Sequence, residues 1–315
     1  MNMKFKNNPL VWVLAIVLVS LIAFQLGKKR GAEEGKQPIE KKAEAPSEAE
    51  TKNGQSLPPA AQKAEDEVNS RQKTEGEEDT TSDNLLMAKV KGQPEQLLVR
   101  TGYVTSYNQD TRCPNWTAWK LTAAHTNGSY KRKGVSFHED DDVPFPKAQH
   151  ADYQRSGYDR GHMCPSGDNR WSREAQEDCF LFTNMCPQSH DLNSGDWNDL
   201  EQKCRKWAER EGSIYIVCGP VFKSSSPNSR RKTIGRNKVA VPDGFYKVVL
   251  CMNGSPKAIG FYYDNDDGRR PMATYIQTVD NIERMTGIDF FASLPDDIES
   301  RVEATVDAKA WGIRK

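Results

Sequence analysis

The chain has 315 residues, with 44 basic and 44 acidic side chains that give a formal net charge of zero. This length excludes a disulfide-stapled mini-protein and leaves room for one or two domains with a sizeable core. Only 36% of the residues are hydrophobic, and the mean hydropathy is −0.78. A wholly globular chain is less polar than this, so we expect the composition to be divided unevenly along the sequence.

The first part, residues 1–27, contains an uncharged segment over residues 9–27. Leu10 to Phe24 is almost continuously apolar, Lys4 and Lys6 precede it, and a basic run over residues 28–30 follows it. The segment is short but sufficient for a spanning helix, and no small-residue cleavage site follows it. We therefore predict an uncleaved membrane anchor. Its orientation stays open because basic residues flank both sides.

The second part, residues 28–84, is rich in charged residues and contains no aromatic side chain. Such a composition cannot bury enough apolar surface to offset the loss of chain entropy on folding. We predict a disordered, charged linker.

The third part, residues 85–315, holds all seven cysteines and all five histidines. Strand-like runs separated by turn residues are predicted at Tyr103–Tyr107, Trp116–Thr122, Cys179–Met185, Ser213–Cys218, Phe245–Cys251 and Ala258–Tyr263. Helical spacing begins at Trp197, after the good N-cap residues Asn193 and Ser194, and recurs near residues 279–285 and 298–306. The pattern predicts an α+β domain with a largely antiparallel sheet. Neither a phosphate-binding glycine loop nor a dinucleotide motif is present, which argues against a nucleotide cofactor.

Three motifs in the third part carry candidate chemistry. Residues 159–162 are Asp-Arg-Gly-His, residues 184–188 are Asn-Met-Cys-Pro-Gln, and residues 192–201 are Leu-Asn-Ser-Gly-Asp-Trp-Asn-Asp-Leu-Glu. Taken alone, a histidine is more often structural than catalytic, and an Asp-Arg pair is usually an ion pair. The order and spacing of the three motifs make the combined signal far more specific.

Together these motifs resemble the DNA/RNA non-specific endonucleases, which are ββα-metal (His-Me finger) nucleases. The resemblance extends from about Tyr103 to the C-terminus, and residues 282–291 resemble the family's closing segment. It implies an α+β, ββα-metal fold with a central, mostly antiparallel sheet over residues 85–315. It also implies a hydrolase that cleaves DNA and RNA internally.

The resemblance implies a base and a metal site. His162 corresponds to the general base that removes a proton from the attacking water, a role that suits an imidazole near neutral pH. Asn193 corresponds to the direct ligand of one divalent ion, and Glu201 to a residue that holds one of the ion's waters. Mg²⁺ is the expected ion, with Mn²⁺ or another divalent ion as alternatives, because Mg²⁺ keeps several waters and needs few protein ligands.

The resemblance also implies contacts to the scissile phosphate from Arg160, Asn184 and Arg205, since arginine forks match phosphate oxygens. The implied catalytic set is thus His162, Arg160, Glu201 and Arg205. Asp159 is expected to be structural and to brace the loop around His162. Glu201 and Arg205 are four residues apart on the predicted helix, so an ordinary helix-surface ion pair remains an alternative.

This machinery implies an in-line attack on phosphorus that leaves 5′-phosphate ends. Nothing in it reads a base, so both DNA and RNA are expected substrates, with little sequence preference. The basic residues Arg230, Arg231 and Lys232, in a loop-like stretch, are candidate contacts to the nucleic-acid backbone. A second basic cluster lies at Lys131–Lys133, and a solvated surface is the alternative for both clusters.

The cysteines allow two other interpretations. Disulfides are expected, for instance Cys218 with Cys251, or Cys164 with Cys113 or Cys186. A less favoured alternative is a zinc site built from His162, Cys164, Cys186 and His190.

Other functions remain open at this level. A phosphodiesterase or pyrophosphatase of the same fold would act on smaller substrates, and a structural or zinc-binding membrane-tethered domain would leave the three motifs to coincidence. The cysteines and the predicted anchor favour an exported domain on the periplasmic or extracellular side. A homodimer is possible, but the sequence does not decide it.

Overall fold

The computed structural model describes residues 88–223, 231–266 and 269–314. The predicted anchor (residues 9–27) and linker (residues 28–84) lie outside the described residues. Among the helices that the structure describes, none is both long and apolar enough to cross a membrane.

The strands are short at the edges of the domain and long at its centre. They are β1 Lys89–Val90, β2 Gln96–Val99, β3 Val104–Asn108, β4 Cys113–Thr122, β5 Asp159–His162, β6 Met185–Gln188, β7 Ser213–Val221, β8 Thr233–Ile234, β9 Val239–Ala240, β10 Gly244–Cys251, β11 Lys257–Asp264, β12 Ile276–Gln277 and β13 Ile288–Asp289.

The α-helices are α1 Ala123–Thr126, α2 His150–Tyr153, α3 Arg173–Asp178, α4 His190–Ser194, α5 Asp196–Glu211, α6 Val279–Thr286 and α7 Asp296–Ala304. Three 3₁₀ turns lie at Ser166–Asp168, Phe182–Asn184 and Met272–Tyr275.

The centre of the domain is a seven-stranded sheet in the order β12-β11-β10-β7-β4-β3-β2, in which every neighbouring pair is antiparallel. The central strands are buried on both faces, which explains their nearly continuous apolar runs, such as Ile214–Val217. The predicted antiparallel sheet is therefore confirmed, and five of the six predicted runs lie within or overlap strands of this sheet.

The sheet separates two apolar clusters, because alternate residues of a strand point to opposite faces. On β4, Trp119 and Leu121 lie in one cluster with Trp197 and Trp207 of α5. Trp116 and Ala118 lie in the other cluster, which α6 and α7 cover. The long helix α5 thus rests on one face of the sheet.

Two local predictions were wrong. Within the run Cys179–Met185 only Met185 lies in a strand, because residues 182–184 form a 3₁₀ turn and β6 begins at Met185. The predicted N-cap pair Asn193 and Ser194 lies inside α4, and Gly195 is the residue that precedes α5. The short helix α4, which has its own serine cap at Ser189, was not predicted.

The predicted disulfides are also absent. All seven cysteines lie in the described residues, and each one is buried with a free thiol. Cys218 is opposite Lys247 in the β7–β10 pairing. It is therefore displaced by four residues, about 13 Å along the strands, from Cys251. A disulfide needs Cα atoms less than about 7 Å apart.

We expect a thiol reagent such as Ellman's reagent to label none of the seven cysteines in the native protein, because their side chains are at most 1% exposed. After unfolding in denaturant without reductant, all seven should react. A smaller number in the unfolded protein would reveal a disulfide and contradict the free-thiol arrangement.

Candidate active site

The three motifs form one ββα unit beside the sheet. β5 pairs with β6 so that Asp159 is opposite Gln188 and His162 is opposite Met185. Helices α4 and α5 follow β6. Gly161 is required between Arg160 and His162, because a Cβ at this position would overlap the Gln188 side chain.

His162 sits in an aromatic pocket. Its ring centroid lies 5.5 Å from that of Phe137 and 5.2 Å from that of Phe180. Its Nε2 is buried and has no hydrogen-bond partner among the described residues. Burial, followed by the positive charge of Arg132, lowers the pKa of His162 to about 3. The free protein therefore holds this imidazole neutral and able to accept a proton.

Asp159 fixes the orientation of Asn193. Its Oδ2 accepts hydrogen bonds from Asn193 Nδ2 at 2.9 Å and from His190 Nδ1 at 2.9 Å. Because a carboxylate accepts hydrogen bonds, the amide nitrogen of Asn193 faces Asp159, and its Oδ1 is the atom left for a cation or water. The structure thus places Asp159 against Asn193 and His190, whereas the predicted role was to brace the loop around His162.

Glu201 lies on α5, two turns beyond Asn193. Burial raises the pKa of its carboxyl to about 7, against the opposing influence of the Lys247 ammonium. A half-buried carboxylate with a raised pKa gains more than an exposed one from a nearby cation.

Arg205 is one turn further along α5, but its ion-pair partner is not Glu201. Its Nη1 lies 2.7 Å from Oδ1 of the buried Asp168. The other oxygen of Asp168 accepts a hydrogen bond from Trp119 Nε1 at 3.1 Å. The ion pair with Asp168 therefore fixes the guanidinium against the 3₁₀ turn at residues 166–168. The Arg205 side chain remains about a fifth exposed.

Beneath this layer lies an unexpected buried lysine. Lys247 on β10 is fully buried, with its Nζ 4.3 Å from the ring centroid of Trp197 and 5.6 Å from that of Trp119. Burial by itself lowers the pKa of Lys247, but the neighbouring Cys218 and Glu201 outweigh it, so the pKa lies above its ordinary value. The cleft and the layer beneath it thus contain two acidic and two basic side chains close together: Asp168, Glu201, Arg205 and Lys247.

We expect Lys247→Met to lower the free energy of unfolding by about 3 kcal/mol, because it leaves Arg205 as the one positive charge beside the two acids Asp168 and Glu201. Urea denaturation measures this change. Lys120→Met is the matched control: Lys120, on β4, is half-buried over the Tyr215 ring at 5.7 Å. Its loss should cost less than about 1 kcal/mol. An equal effect of the two substitutions would contradict the charge-balance interpretation.

These elements enclose a cleft of about 490 Å³. Its lining side chains are predominantly basic or polar: Arg132, Arg160, His162, Ser166, Asn193, Ser194, Asn198, Glu201 and Arg205. The cleft thus brings together five predicted site residues: His162, Arg160, Asn193, Glu201 and Arg205. Two aromatic rings orient Arg160. Its guanidinium carbon lies 5.2 Å from the ring centroid of Phe137 and 5.3 Å from that of Tyr153.

Asn184 does not reach the cleft, which corrects its predicted phosphate contact. The residue is completely buried. Its Oδ1 accepts from the backbone N–H of Cys164, and its Nδ2 donates to the carbonyls of Cys164 and Cys179, each at 2.9 Å. With these bonds made inside the protein, Asn184 braces the segment after His162 rather than the substrate.

The predicted basic contacts lie elsewhere. Arg230 is outside the described residues. Arg231 and Lys232 are exposed and line a separate cavity of about 700 Å³. Lys232 Nζ donates to Tyr158 Oη at 2.6 Å, and the Arg231 guanidinium lies 4.6 Å from the Phe222 ring centroid.

The alternative zinc site is not assembled. Within the described ranges, the group of metal-ligand side chains found close together is Asp280, Glu283 and Glu303, and it contains none of the four proposed zinc ligands. His190 is hydrogen-bonded to Asp159, and the Cys164 sulfur accepts a hydrogen bond from the Asn169 side chain.

Comparisons with known proteins identify the family. A family profile described as DNA/RNA non-specific endonuclease matches residues 82–297. The chain belongs to the DNA/RNA non-specific endonuclease family. It is 34% identical over 206 residues to the mitochondrial nuclease EXOG of Danio rerio, a match that covers 62% of this chain and 60% of the relative.

Other members of the family match more completely. Nuclease C1 of Cunninghamella echinulata is 34% identical over 225 residues, which cover 68% of this chain and 89% of the relative. A crystal structure of an EndoG/EndoGI complex superimposes with a TM-score of 0.60 and 29% identity, over 65% of this chain and 89% of the other. The chain spans about 60% of the length of the EXOG relatives from fish and human.

Within this endonuclease family fold, several residues of the site were not singled out from the sequence. Arg132 was noted only as part of a basic cluster, and Asp168 lies in a turn with no distinguishing pattern. Lys247 did carry a signal, because a single lysine inside the apolar run Phe245–Cys251 predicts either a strand edge or a buried charge.

Proposed function

We propose that this protein is a divalent-metal-dependent endonuclease that hydrolyses phosphodiester bonds of DNA and RNA and leaves 5′-phosphate ends. The observation that carries the proposal is the convergence of His162, Asn193, Glu201 and two arginines in one cleft. Family membership supports the same chemistry.

His162 is the general base in this proposal. Its low pKa keeps the imidazole unprotonated before substrate binds, so proton removal from water does not first require its deprotonation. A bound phosphate adds negative charge beside the ring and stabilises the imidazolium that forms as the proton arrives. Phe137 and Phe180 hold the ring in one plane.

Asn193 and Glu201 fit a hard divalent ion. The Asn193 oxygen, set by Asp159, would coordinate Mg²⁺ directly, and the Glu201 carboxylate would hold one of its waters. When bound, the ion supplies Lewis-acid stabilisation of charge on the phosphoryl and leaving oxygens. Mn²⁺ fits the same oxygen donors.

Arg160 and Arg205 bind the phosphate in the proposed complex. Both guanidiniums are pre-oriented, Arg160 over two aromatic rings and Arg205 by Asp168, so little side-chain entropy is lost on binding. Arg132, at the same cleft, adds a third positive charge. Arg230, Arg231 and Lys232 are proposed to contact the nucleic-acid backbone away from the scissile bond.

The cleft favours phosphate over base recognition, because three arginines, Arg132, Arg160 and Arg205, line it beside the proposed metal ligands. This supports cleavage of DNA and RNA with little sequence preference. We also propose that residues 9–27 anchor the protein in a membrane with residues 85–315 on the exported side. The apolar segment supports this location. The cysteines do not, because they are free thiols rather than the disulfides expected of an exported domain.

The substrate class is tested by incubating the full chain and Mg²⁺ with closed circular DNA, with RNA and with bis(4-nitrophenyl) phosphate. We expect both polymers to be cut, and the DNA ends to be joined by ligase without prior phosphorylation. Turnover of the small ester alone would favour a phosphodiesterase of the same fold, and ends that need a kinase before ligation would contradict the 5′-phosphate product.

A further inference from the structure

A cluster of three carboxylates lies on the opposite face of the sheet from the cleft. Asp280 and Glu283 project from α6 and Glu303 from α7, the two helices that cover the second apolar cluster. One carboxylate oxygen from each residue lies within 4.8 Å of the other two. Two ligands on opposite sides of a calcium ion are separated by about this distance, because calcium–oxygen bonds are about 2.4 Å long.

Glu303 provides an independent sign that something is bound there. The residue is only 6% exposed, and its Oε1 is buried with no hydrogen-bond partner among the described residues. A buried carboxylate oxygen without a partner destabilises the fold, because it has lost its hydration and gained no hydrogen bond in return. A partner such as a cation offsets that cost.

The surroundings of the cluster are also negative. Burial and then the charges of Glu283 and Glu299 raise the pKa of Glu303 to about 8, and Asp280 and Asp289 act in the same direction. No lysine or arginine that the structure describes forms an ion pair with Asp280, Glu283 or Glu303. Glu283 is partly satisfied, because one of its oxygens accepts from the backbone N–H of Phe290 at 2.8 Å.

We propose that Asp280, Glu283 and Glu303 form a structural Ca²⁺ site that joins α6 to α7. Three carboxylates and several waters supply the six to eight oxygen ligands that calcium takes, and a flexible, all-oxygen set favours it over the smaller Mg²⁺. The site lies apart from the cleft and does not depend on the proposed nuclease activity.

The test uses the full chain carrying Asn193→Ala, which removes the direct ligand proposed for the active-site ion. Equilibrium dialysis should find one Ca²⁺ per chain. At a Ca²⁺ concentration about 100-fold above Kd, the melting temperature should rise by about 5–10 °C. The same concentration of Mg²⁺ should give a smaller rise.

Glu303→Gln in this background should remove the bound Ca²⁺ and the thermal shift. If that variant does not fold, Asp280→Asn serves the same purpose from the half-buried side of the cluster. Glu299→Gln is the matched control, because it removes a nearby negative charge from α7 without removing a ligand. It should keep the thermal shift to within about 2 °C.

Three outcomes would overturn the proposal. They are no Ca²⁺ bound by the Asn193→Ala protein, undiminished binding after Glu303→Gln, and equal shifts with Mg²⁺ and Ca²⁺. With the native Asn193 restored, Glu303→Gln should cleave DNA like the unmodified protein, which separates this site from the proposed function.

Discussion

We expect His162→Ala to slow DNA and RNA hydrolysis by about 10²–10⁴-fold at saturating metal. The substitution removes the imidazole that accepts the proton of the attacking water, and the metal site and the arginines stay in place. Initial cleavage rates measure the effect. An unchanged far-ultraviolet circular dichroism spectrum would show that the domain is still folded.

His125→Ala is the control for this substitution. His125 is a half-buried histidine outside the cleft, with Nδ1 3.0 Å from the Lys120 carbonyl and its ring stacked on Trp171. Its replacement should change the rate by less than about twofold, since its side chain does not line the cleft. Full metal-dependent activity in His162→Ala would exclude His162 as the base.

Asn193→Ala should raise the metal concentration needed for half-maximal activity by at least about 10–100-fold, because it removes the one protein atom proposed to bind the ion directly. Asn193→Asp should not rescue it. The new carboxylate would face Asp159 Oδ2 in place of the present 2.9 Å hydrogen bond, and two like charges would then repel each other.

Metal titrations of the cleavage rate measure both variants, and Asn127→Ala is the matched control. Asn127 is an exposed asparagine that uses its Nδ2 in one hydrogen bond to the Ala123 carbonyl. It should leave the half-saturating metal concentration unchanged. An Asn193→Asp protein that binds metal more tightly than the native one would contradict the role given to Asp159.

Much of the fold was predictable, because the length and the spacing of apolar residues in a segment indicate which of its faces are buried. The apolar runs predicted as strands form β7, β10 and β11, which are buried on both faces of the sheet. Helices α6 and α7 each have one apolar face. The failures lie where two short elements meet. The five-residue helix α4 was not predicted, because it is too short to show an apolar period and only Gly195 separates it from α5.

The site was predictable to the extent that its residues are close in sequence. Local motifs place His162 and Arg160 on one strand, and Asn193, Glu201 and Arg205 on consecutive helices. The phosphate contact predicted for Asn184 was wrong, because an asparagine in this motif can equally well be a buried structural residue. Its three hydrogen bonds to backbone groups show that it is structural. Asp168 and Lys247 reach the site through tertiary contacts that no local pattern records.

The central claim is that metal-assisted chemistry in this cleft cuts polynucleotide chains internally. The most direct measurement is the nicking of closed circular DNA by the full chain after metal removal with EDTA and again after addition of Mg²⁺. We predict no cleavage without metal, and with Mg²⁺ the appearance of nicked circles followed by linear fragments. Undiminished cleavage in EDTA, or circles that resist while linear DNA is digested from its ends, would contradict the account.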